Sequence, residues 1–207
     1  MIDPLPPHPI TDPEASVDAL REAIRRHGRH LGNGIIKVDA FLNHQVDAAL
    51  MAACGQELAR RFRPWQPTKV LTAEISGIGP ALMTAYALGV PLVFARKHKP
   101  LTMGEDIFFA TAPSHTKGGD ITLLVAADYL RPGDRVLIVD DFLATGATIL
   151  ALARLAQAAG ATVVGIGAVI EKRFEGGRER LKALGVPIES LAVVIGVEGE
   201  RILLEDA

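Results

Sequence analysis

Short apolar runs alternate with longer segments of helical spacing from residue 69 to residue 195. Unbroken aliphatic and β-branched runs of this kind are typical of strands that are buried on both faces of a parallel sheet. We predict strands at residues 69–73, 91–95, 136–139, 162–170 and 190–195, with helices ending near residues 88, 159 and 184. This alternation predicts an α/β fold with a central, mostly parallel sheet flanked by helices.

The N-terminal part of the chain is patterned differently. Val17, Leu20 and Ile24 recur at helical spacing, which predicts a helix at residues 16–27 with Ser16 as its N-cap. A short strand at residues 35–38, a turn at 41–44 and a helix at 46–62 are predicted to follow. Five of the first fourteen residues are proline, so we predict a disordered extension at 1–14 and a single domain at 15–207.

The stretch from residue 100 to residue 119 has weak periodicity and a polar surround. Inside it, residues 106–110 have the pattern of a strand, and residues 121–126 have the pattern of a returning arm. We therefore predict a hairpin that stands apart from the alternating strands and helices.

Composition narrows the classes of function. The formal net charge is −2 and the pI is about 6.3, so there is no basic footprint for nucleic acid. The single cysteine, Cys54, excludes an intramolecular disulfide and fits a reducing compartment. No apolar run approaches the ~18 residues that span a bilayer. We expect a cytoplasmic protein with neither nucleic acid nor membrane as a partner.

Residues 135–148 are the segment around which the chemistry is expected to be organised. A buried strand is followed by Asp140 and Asp141, which are predicted to emerge into water, and then by small residues that open a helix. Free N–H groups and the helix dipole at such a loop suit a phosphate. Gly146 is expected where a side chain would block the phosphate or require an unfavourable φ. The alternative for the aspartates is an acidic strand end with a capping function.

This loop matches neither common nucleotide motif, because the chain has no Gly-x-x-x-x-Gly-Lys-Ser/Thr and no Gly-x-Gly-x-x-Gly after a strand. The pattern instead resembles that of the type I phosphoribosyltransferases: an apolar strand, two acidic residues, two spacers and Ala-Thr-Gly-x-Thr. Residues 37–45, 93–99 and 169–174 are similar more narrowly to the xanthine-specific branch of that family. The resemblance extends from about residue 16 to residue 195.

The resemblance implies a set of site residues. The 5′-phosphate of phosphoribosyl pyrophosphate would lie on the loop, and the catalytic Asp140 and Asp141 would face the ribose hydroxyls, directly or through Mg²⁺ and water. Ile75 departs from the family pattern, which has serine there. The residues implied for each part are, for the 5′-phosphate, Ala144, Thr145, Gly146, Ala147 and Thr148; for pyrophosphate, Ser76 and Gly77; for xanthine, Ile36, Asn43 and Lys172.

The basic cluster Arg96, Lys97 and Lys99 could neutralise the leaving pyrophosphate, and its alternative is a solvated basic turn. The hairpin is interpreted as a flexible hood with its tip at residues 114–118, which would exclude water from the reaction. Any Mg²⁺ would arrive with phosphoribosyl pyrophosphate, since no metal-binding cluster of Cys and His is present. The resemblance also implies a homodimer.

The resemblance implies transfer of ribose 5-phosphate to N9 of xanthine. Ala144 stands where the hypoxanthine–guanine branch commonly has an aspartate, so no group for the N7 proton is identified. Lys172 could also be a solvated strand-end lysine, and Phe174 could stack on the base or pack in the core. Two other functions stay open: a transferase that prefers guanine or hypoxanthine, and a transcription regulator that senses phosphoribosyl pyrophosphate.

Overall fold

The computed structural model describes residues 13–113 and 119–205. The helices are α1 (Pro13–His27), α2 (Ala48–Phe62), α3 (Ile78–Leu88), α4 (Ala147–Ala158) and α5 (Gly177–Leu181). The strands are β1 (Arg29–His30), β2 (Ile36–Lys37), β3 (Lys69–Ala73), β4 (Leu92–Ala95), β5 (Ile107–Pro113), β6 (Asp120–Ala126), β7 (Arg135–Leu143), β8 (Thr162–Lys172), β9 (Ile188–Glu198) and β10 (Arg201–Leu204).

A six-stranded sheet forms the centre, in the order β10–β9–β8–β7–β3–β4. The four pairings from β9 to β4 are parallel, and only β10 pairs with its neighbour in the antiparallel direction. The runs of Val, Ile and Leu in β7 and β8 are buried because helices cover both faces of the sheet. The predicted α/β fold with a mostly parallel sheet is confirmed.

Each face of the sheet has its own apolar core. On one face, α1 and α2 contribute Leu20, Met51 and Phe62, which are all fully buried. On the other face, Leu152 of α4 packs with Ile138 of β7. A Cβ at Gly165 of β8 would lie 2.4 Å from the Phe62 ring. The glycine therefore lets the end of α2 lie directly on the sheet.

The predicted hairpin is confirmed. Strands β5 and β6 form a separate two-stranded sheet with seven antiparallel residue pairs. The hairpin joins the end of β4 through one bridge, in which the backbone N–H of Arg96 donates to the Leu124 carbonyl and the Leu124 N–H donates back, each at 2.8 Å. The predicted tip at residues 114–118 lies outside the described residues.

Several element boundaries differ from the sequence prediction. Helix α1 begins at Pro13, a residue type favoured in the first helical turn, and Ser16 is buried inside the helix instead of capping it. The predicted turn near residue 41 is a π-helical segment, Asp39–Asn43. Helix α2 begins at Ala48 because the Asp47 carboxylate accepts from the N–H groups of Ala49 and Leu50. None of the helices in the described ranges is long and apolar enough to cross a membrane.

Candidate active site

A cavity of about 790 Å³ opens at the carboxyl ends of β7 and β8. Ligands of open parallel sheets bind at this edge. Four parts of the chain meet there: the loop after β7, the end of β8, the loop between β3 and α3, and the N-terminal segment that contains β2 and the π-helical segment. The predicted site residues that line the cavity are Ile36, Asn43, Ser76, Asp140, Asp141, Ala144, Thr145, Gly146, Ala147, Thr148 and Lys172.

The predicted phosphate loop connects β7 to α4. Gly146 is the N-cap of α4 and has φ +78°, a left-handed conformation that costs other residues free energy. The predicted need for glycine is confirmed, but its neighbour is a protein group. A Cβ at Gly146 would lie 3.2 Å from the Gly177 carbonyl oxygen and from Cγ of Leu181, so it would point at α5.

Helix α5 supports the loop from behind, a role that the sequence did not indicate. A Cβ at Gly177 would lie 2.1 Å from the Ala144 carbonyl oxygen and 2.8 Å from the Gly146 nitrogen. Nη1 of Arg180 donates to the Thr145 carbonyl oxygen at 2.5 Å. The one signal in the sequence is the pair Gly176 and Gly177 after a strand, because adjacent glycines leave room for a close approach of the backbone.

Asp140 and Asp141 are mostly buried, each 7% exposed, whereas the sequence prediction placed them where the strand enters water. That placement is wrong because β7 continues to Leu143 and pairs with β8 beyond the aspartates. Burial and the charge of Asp141 raise the pKa of Asp140 well above its usual range. Burial also raises the pKa of Asp141, although a hydrogen bond with Ser76 opposes the shift.

The predicted pyrophosphate loop lies between β3 and α3. The peptide bond between Glu74 and Ile75 is cis, and the Ile75 side chain is 76% exposed. The Ile75 side chain does not line the cavity. Ser76 lines the cavity, and Gly77 is the N-cap of α3. A Cβ at Gly77 would lie 2.5 Å from Oδ1 of Asp140, so only glycine allows this close approach.

The basic cluster lies beside the cavity and does not line it. Nε of Arg96 is 2.8 Å from Oε2 of Glu74, out of line for a hydrogen bond, and the guanidinium lies 5.7 Å from the Phe94 ring centre. The backbone N–H of Lys97 donates to the Glu74 carboxylate at 2.6 Å. Lys99 pairs with Glu105 at 3.0 Å. The charge of Lys97 does reach the site, where it opposes the raised pKa of Asp140.

The other half of the cavity is built around Lys172 at the end of β8. Its Nζ donates to the Gly34 carbonyl oxygen at 3.1 Å and is 2.6 Å from Oε1 of Glu175. The same ammonium group lies 5.7 Å from the centre of the Phe142 ring. Phe174 is 44% exposed and lines the cavity, so it does not belong to the core. The sequence had not indicated Gly34, Phe142 or Glu175.

Comparisons with known proteins show the family to which the chain belongs. The family model of the phosphoribosyl transferase domain matches residues 38–198. The chain is 48% identical to the xanthine phosphoribosyltransferase of Deinococcus deserti, over 90% of this chain and 97% of that protein. It is 50% identical to that of Shouchella clausii, over 90% of this chain and 93% of that protein.

Among solved structures, the chain resembles the adenine phosphoribosyltransferase of Rhodothermus marinus with a TM-score of 0.71 and 31% identity. That alignment covers 87% of this chain and 99% of the other. The family model, the relatives and the fold all agree. The chain belongs to the phosphoribosyltransferase family.

Proposed function

We propose that the protein transfers the ribose 5-phosphate group of phosphoribosyl pyrophosphate to N9 of xanthine, releasing pyrophosphate and forming xanthosine 5′-phosphate. One observation carries the proposal: a single cavity joins the phosphate loop and Asp140 and Asp141 to Lys172 and Asn43. Near-full-length relatives named xanthine phosphoribosyltransferase support the choice of base. The alternative of a transcription regulator receives no support from these relatives.

The phosphoribosyl half of the cavity consists of the loop at residues 144–148 with Asp140 and Asp141. It would hold the sugar by its two polar ends. The first N–H groups of α4 lack partners within the helix and suit the 5′-phosphate. The buried carboxylates of Asp140 and Asp141 would accept hydrogen bonds from the ribose hydroxyls. Fixing the sugar at both ends leaves C1 free to react and reduces the entropy that the transition state must lose.

The base half would bind xanthine through Lys172, Asn43 and the main chain of Ile36. Xanthine has two oxo groups, so an ammonium group provides a suitable donor. Glu175 and the Gly34 carbonyl hold Lys172 in place before the base arrives. Phe174, on the wall of the cavity, would stack on the purine.

The leaving pyrophosphate would be received by Ser76, Gly77, Arg96, Lys97 and Lys99. In the described conformation Glu74 engages Arg96 and the main chain of Lys97, so the basic cluster must move to reach a ligand. The hairpin is bonded to this cluster through the bridge between Arg96 and Leu124. Closure of the hairpin as a hood would therefore move the cluster with it.

Mg²⁺ fits the phosphoribosyl half of the cavity, since carboxylates and phosphate oxygens are its preferred ligands. No group of three or more candidate metal-ligating side chains occurs among the residues that the structure describes. The ion would arrive with phosphoribosyl pyrophosphate, and Asp140 and Asp141 would face the ribose hydroxyls directly or through the ion and water. When bound, it would supply positive charge for the departing pyrophosphate.

We also propose a cytoplasmic homodimer. Apolar side chains are exposed on α3 and on the neighbouring edge strand β4, namely Leu82, Tyr86 and Phe94. Sedimentation at assay concentration distinguishes a 22.0 kDa monomer from a particle of twice that mass.

The single cysteine is compatible with the proposed reducing compartment. Burial raises the pKa of Cys54 to about 12, so its thiol is unreactive there.

Replacing Lys172 tests the proposal. Lys172→Met removes a charged donor worth ~1.5–3 kcal/mol, so the KM for xanthine should rise roughly 10- to 150-fold. The KM for phosphoribosyl pyrophosphate should stay within about twofold, because that substrate uses the other half. The exposed Lys182→Met is the matched control. An unchanged KM for xanthine would remove Lys172 from the site, and wild-type protein inactive on xanthine would refute the function.

A further inference from the structure

We propose that Arg178 is a positioning residue that fixes the phosphate loop from outside the cavity, through Gly177 and without contact with either substrate. The inference rests on the proposed function, because it takes the loop at residues 144–148 as the phosphoribosyl site. It assigns a role in substrate binding to α5, a helix of only five residues that does not line the cavity.

Arg178 fastens α5 to the sheet. Its Nε lies 2.9 and 3.0 Å from the two carboxylate oxygens of Glu171, and its Nη2 lies 2.6 Å from Oε2. Its Nη1 donates to the Ile188 carbonyl oxygen at 2.8 Å. The Ser190 hydroxyl donates to the same carboxylate at 2.8 Å. One guanidinium group therefore joins α5 to the end of β8 and the start of β9.

The carboxylate at this junction depends on its partners. Glu171 is 1% exposed, and a carboxylate at such a position is costly unless it is paired and hydrogen-bonded. Burial by itself would raise the pKa of Glu171, but the hydrogen bonds from Arg178 and Ser190 outweigh burial and lower it. Glu171 is therefore ionised at neutral pH and holds Arg178 in one orientation.

Gly177, next to Arg178 in the chain, transmits this position to the loop. Its Cα lies so close to the loop that a Cβ would be 2.1 Å from the Ala144 carbonyl oxygen. On the other side, Gly146 approaches the Gly177 carbonyl oxygen. A second contact is the hydrogen bond from Arg180 to the Thr145 carbonyl oxygen. Any shift of α5 must therefore shift the N–H groups offered to the phosphate.

A helix of five residues cannot hold this position by itself, since isolated helices shorter than about 12 residues are marginal in water. The ion pair with Glu171 constrains α5 together with Leu181, which is buried in the core. The base half has separate support, because Lys172 is held by Gly34 and Glu175. The loss of Arg178 should therefore weaken the binding of one substrate much more than that of the other.

Two variants separate positioning from stability. Arg178→Met leaves the Glu171 carboxylate buried without its main partner, so it should lower Tm and raise the Kd for phosphoribosyl pyrophosphate at least tenfold by calorimetry without base. The double variant Glu171→Met/Arg178→Met removes both charges and should recover Tm, because a well-packed apolar pair replaces a buried ion pair at little cost. Its Kd should remain raised at least tenfold, with the KM for xanthine within about threefold of wild type.

Arg173→Met is the matched control, since it removes an exposed arginine that is paired with Glu205. It should leave the Kd for phosphoribosyl pyrophosphate and the KM for xanthine unchanged. Gly177→Ala tests the contact between α5 and the phosphate loop without altering the ion pair of Arg178 with Glu171. It should also raise the Kd for phosphoribosyl pyrophosphate at least tenfold. Wild-type affinity in the double variant or in Gly177→Ala would overturn the proposal, and Gly177→Ala decides if the Arg178 variants do not fold. Failure of the proposed function would appear differently, as wild-type protein that does not bind phosphoribosyl pyrophosphate.

Discussion

Asp140 and Asp141 are adjacent carboxylates held at 7% exposure beside a cavity, where their ionised forms are poorly solvated. The N–H of Asp141 donates to Oδ1 of Asp140, and Ser76 bonds to Asp141, so the pair is ordered before a ligand arrives. Such an arrangement costs stability and favours a ligand that brings hydroxyl donors and a cation. We therefore expect these carboxylates to bind the ligand and, without it, to lower the free energy of unfolding.

Asp140→Asn tests this expectation, because the effect of the Asp140 carboxyl on Tm should depend on pH. A carboxyl whose folded pKa is raised loses stability as the pH rises from its unfolded value, ~3.9, through its folded value. The variant should therefore have a higher Tm than wild type at pH 7, with the difference vanishing below pH ~3.9. Its affinity for phosphoribosyl pyrophosphate should fall roughly 10- to 150-fold, since a charged hydrogen bond is worth ~1.5–3 kcal/mol.

Asp134→Asn is the matched control with the opposite sign. Burial would raise the pKa of Asp134, but hydrogen bonds from Lys69 and the Arg131 N–H outweigh it and lower the pKa. That substitution should reduce Tm at pH 7 and leave substrate affinity unchanged. A lower Tm for Asp140→Asn at pH 7 would contradict the account of the buried pair.

At the scale of elements, the loop between β7 and α4 depends on a left-handed glycine. Gly146→Ala should lose about 1–2 kcal/mol of folding free energy for the left-handed conformation. It should lose more because its Cβ would be 3.2 Å from the Gly177 carbonyl oxygen. Because the loop or α5 must then shift by a few tenths of an ångström, the KM for phosphoribosyl pyrophosphate should also rise.

Gly185→Ala separates these two effects. Gly185 has φ +66°, and a Cβ there would have no neighbour within 4 Å. Denaturant titration should give the loss expected for the left-handed conformation, with an unchanged KM for phosphoribosyl pyrophosphate. If both variants lost the same stability and kept the same KM, the contact between the loop and α5 would have no functional weight.

The buried strands were predictable from sequence because short, unbroken runs rich in β-branched and aliphatic residues, such as Val136 to Val139, favour strands that are buried on both faces. Their ends were less predictable. The apolar pattern places the end of a strand before Asp140, yet the ladder with β8 continues through Phe142 and Leu143. Strand β10 was missed, since a four-residue edge strand carries little pattern of its own.

At the scale of the molecule, the sheet explains why two distant motifs share one cavity. Strands β7 and β8 are parallel neighbours, so the phosphate loop and Lys172 leave the sheet at the same edge. That much follows from the alternating pattern of the sequence. The hydrogen bond from Lys172 to Gly34 joins residues 138 positions apart, and local patterning could not indicate it. Ile36 and Asn43 were found only through the family resemblance.

The basic cluster illustrates the other limit of sequence reasoning. Arg96, Lys97 and Lys99 follow β4, as predicted, but two carboxylates that the sequence prediction had not considered, Glu74 and Glu105, engage them. Competition between a protein carboxylate and a substrate pyrophosphate depends on tertiary contacts. For the basic cluster to bind pyrophosphate, as proposed, it must leave Glu74 and Glu105.

The release of pyrophosphate with four purine bases tests the central claim most directly. Wild-type protein is assayed with phosphoribosyl pyrophosphate, Mg²⁺ and either xanthine, guanine, hypoxanthine or adenine, and the nucleotide is identified by chromatography. The account predicts the highest kcat/KM with xanthine, with xanthosine 5′-phosphate and pyrophosphate formed in equal amounts. A higher kcat/KM with guanine or hypoxanthine would contradict the assigned base, and no release with any base would contradict the transferase function.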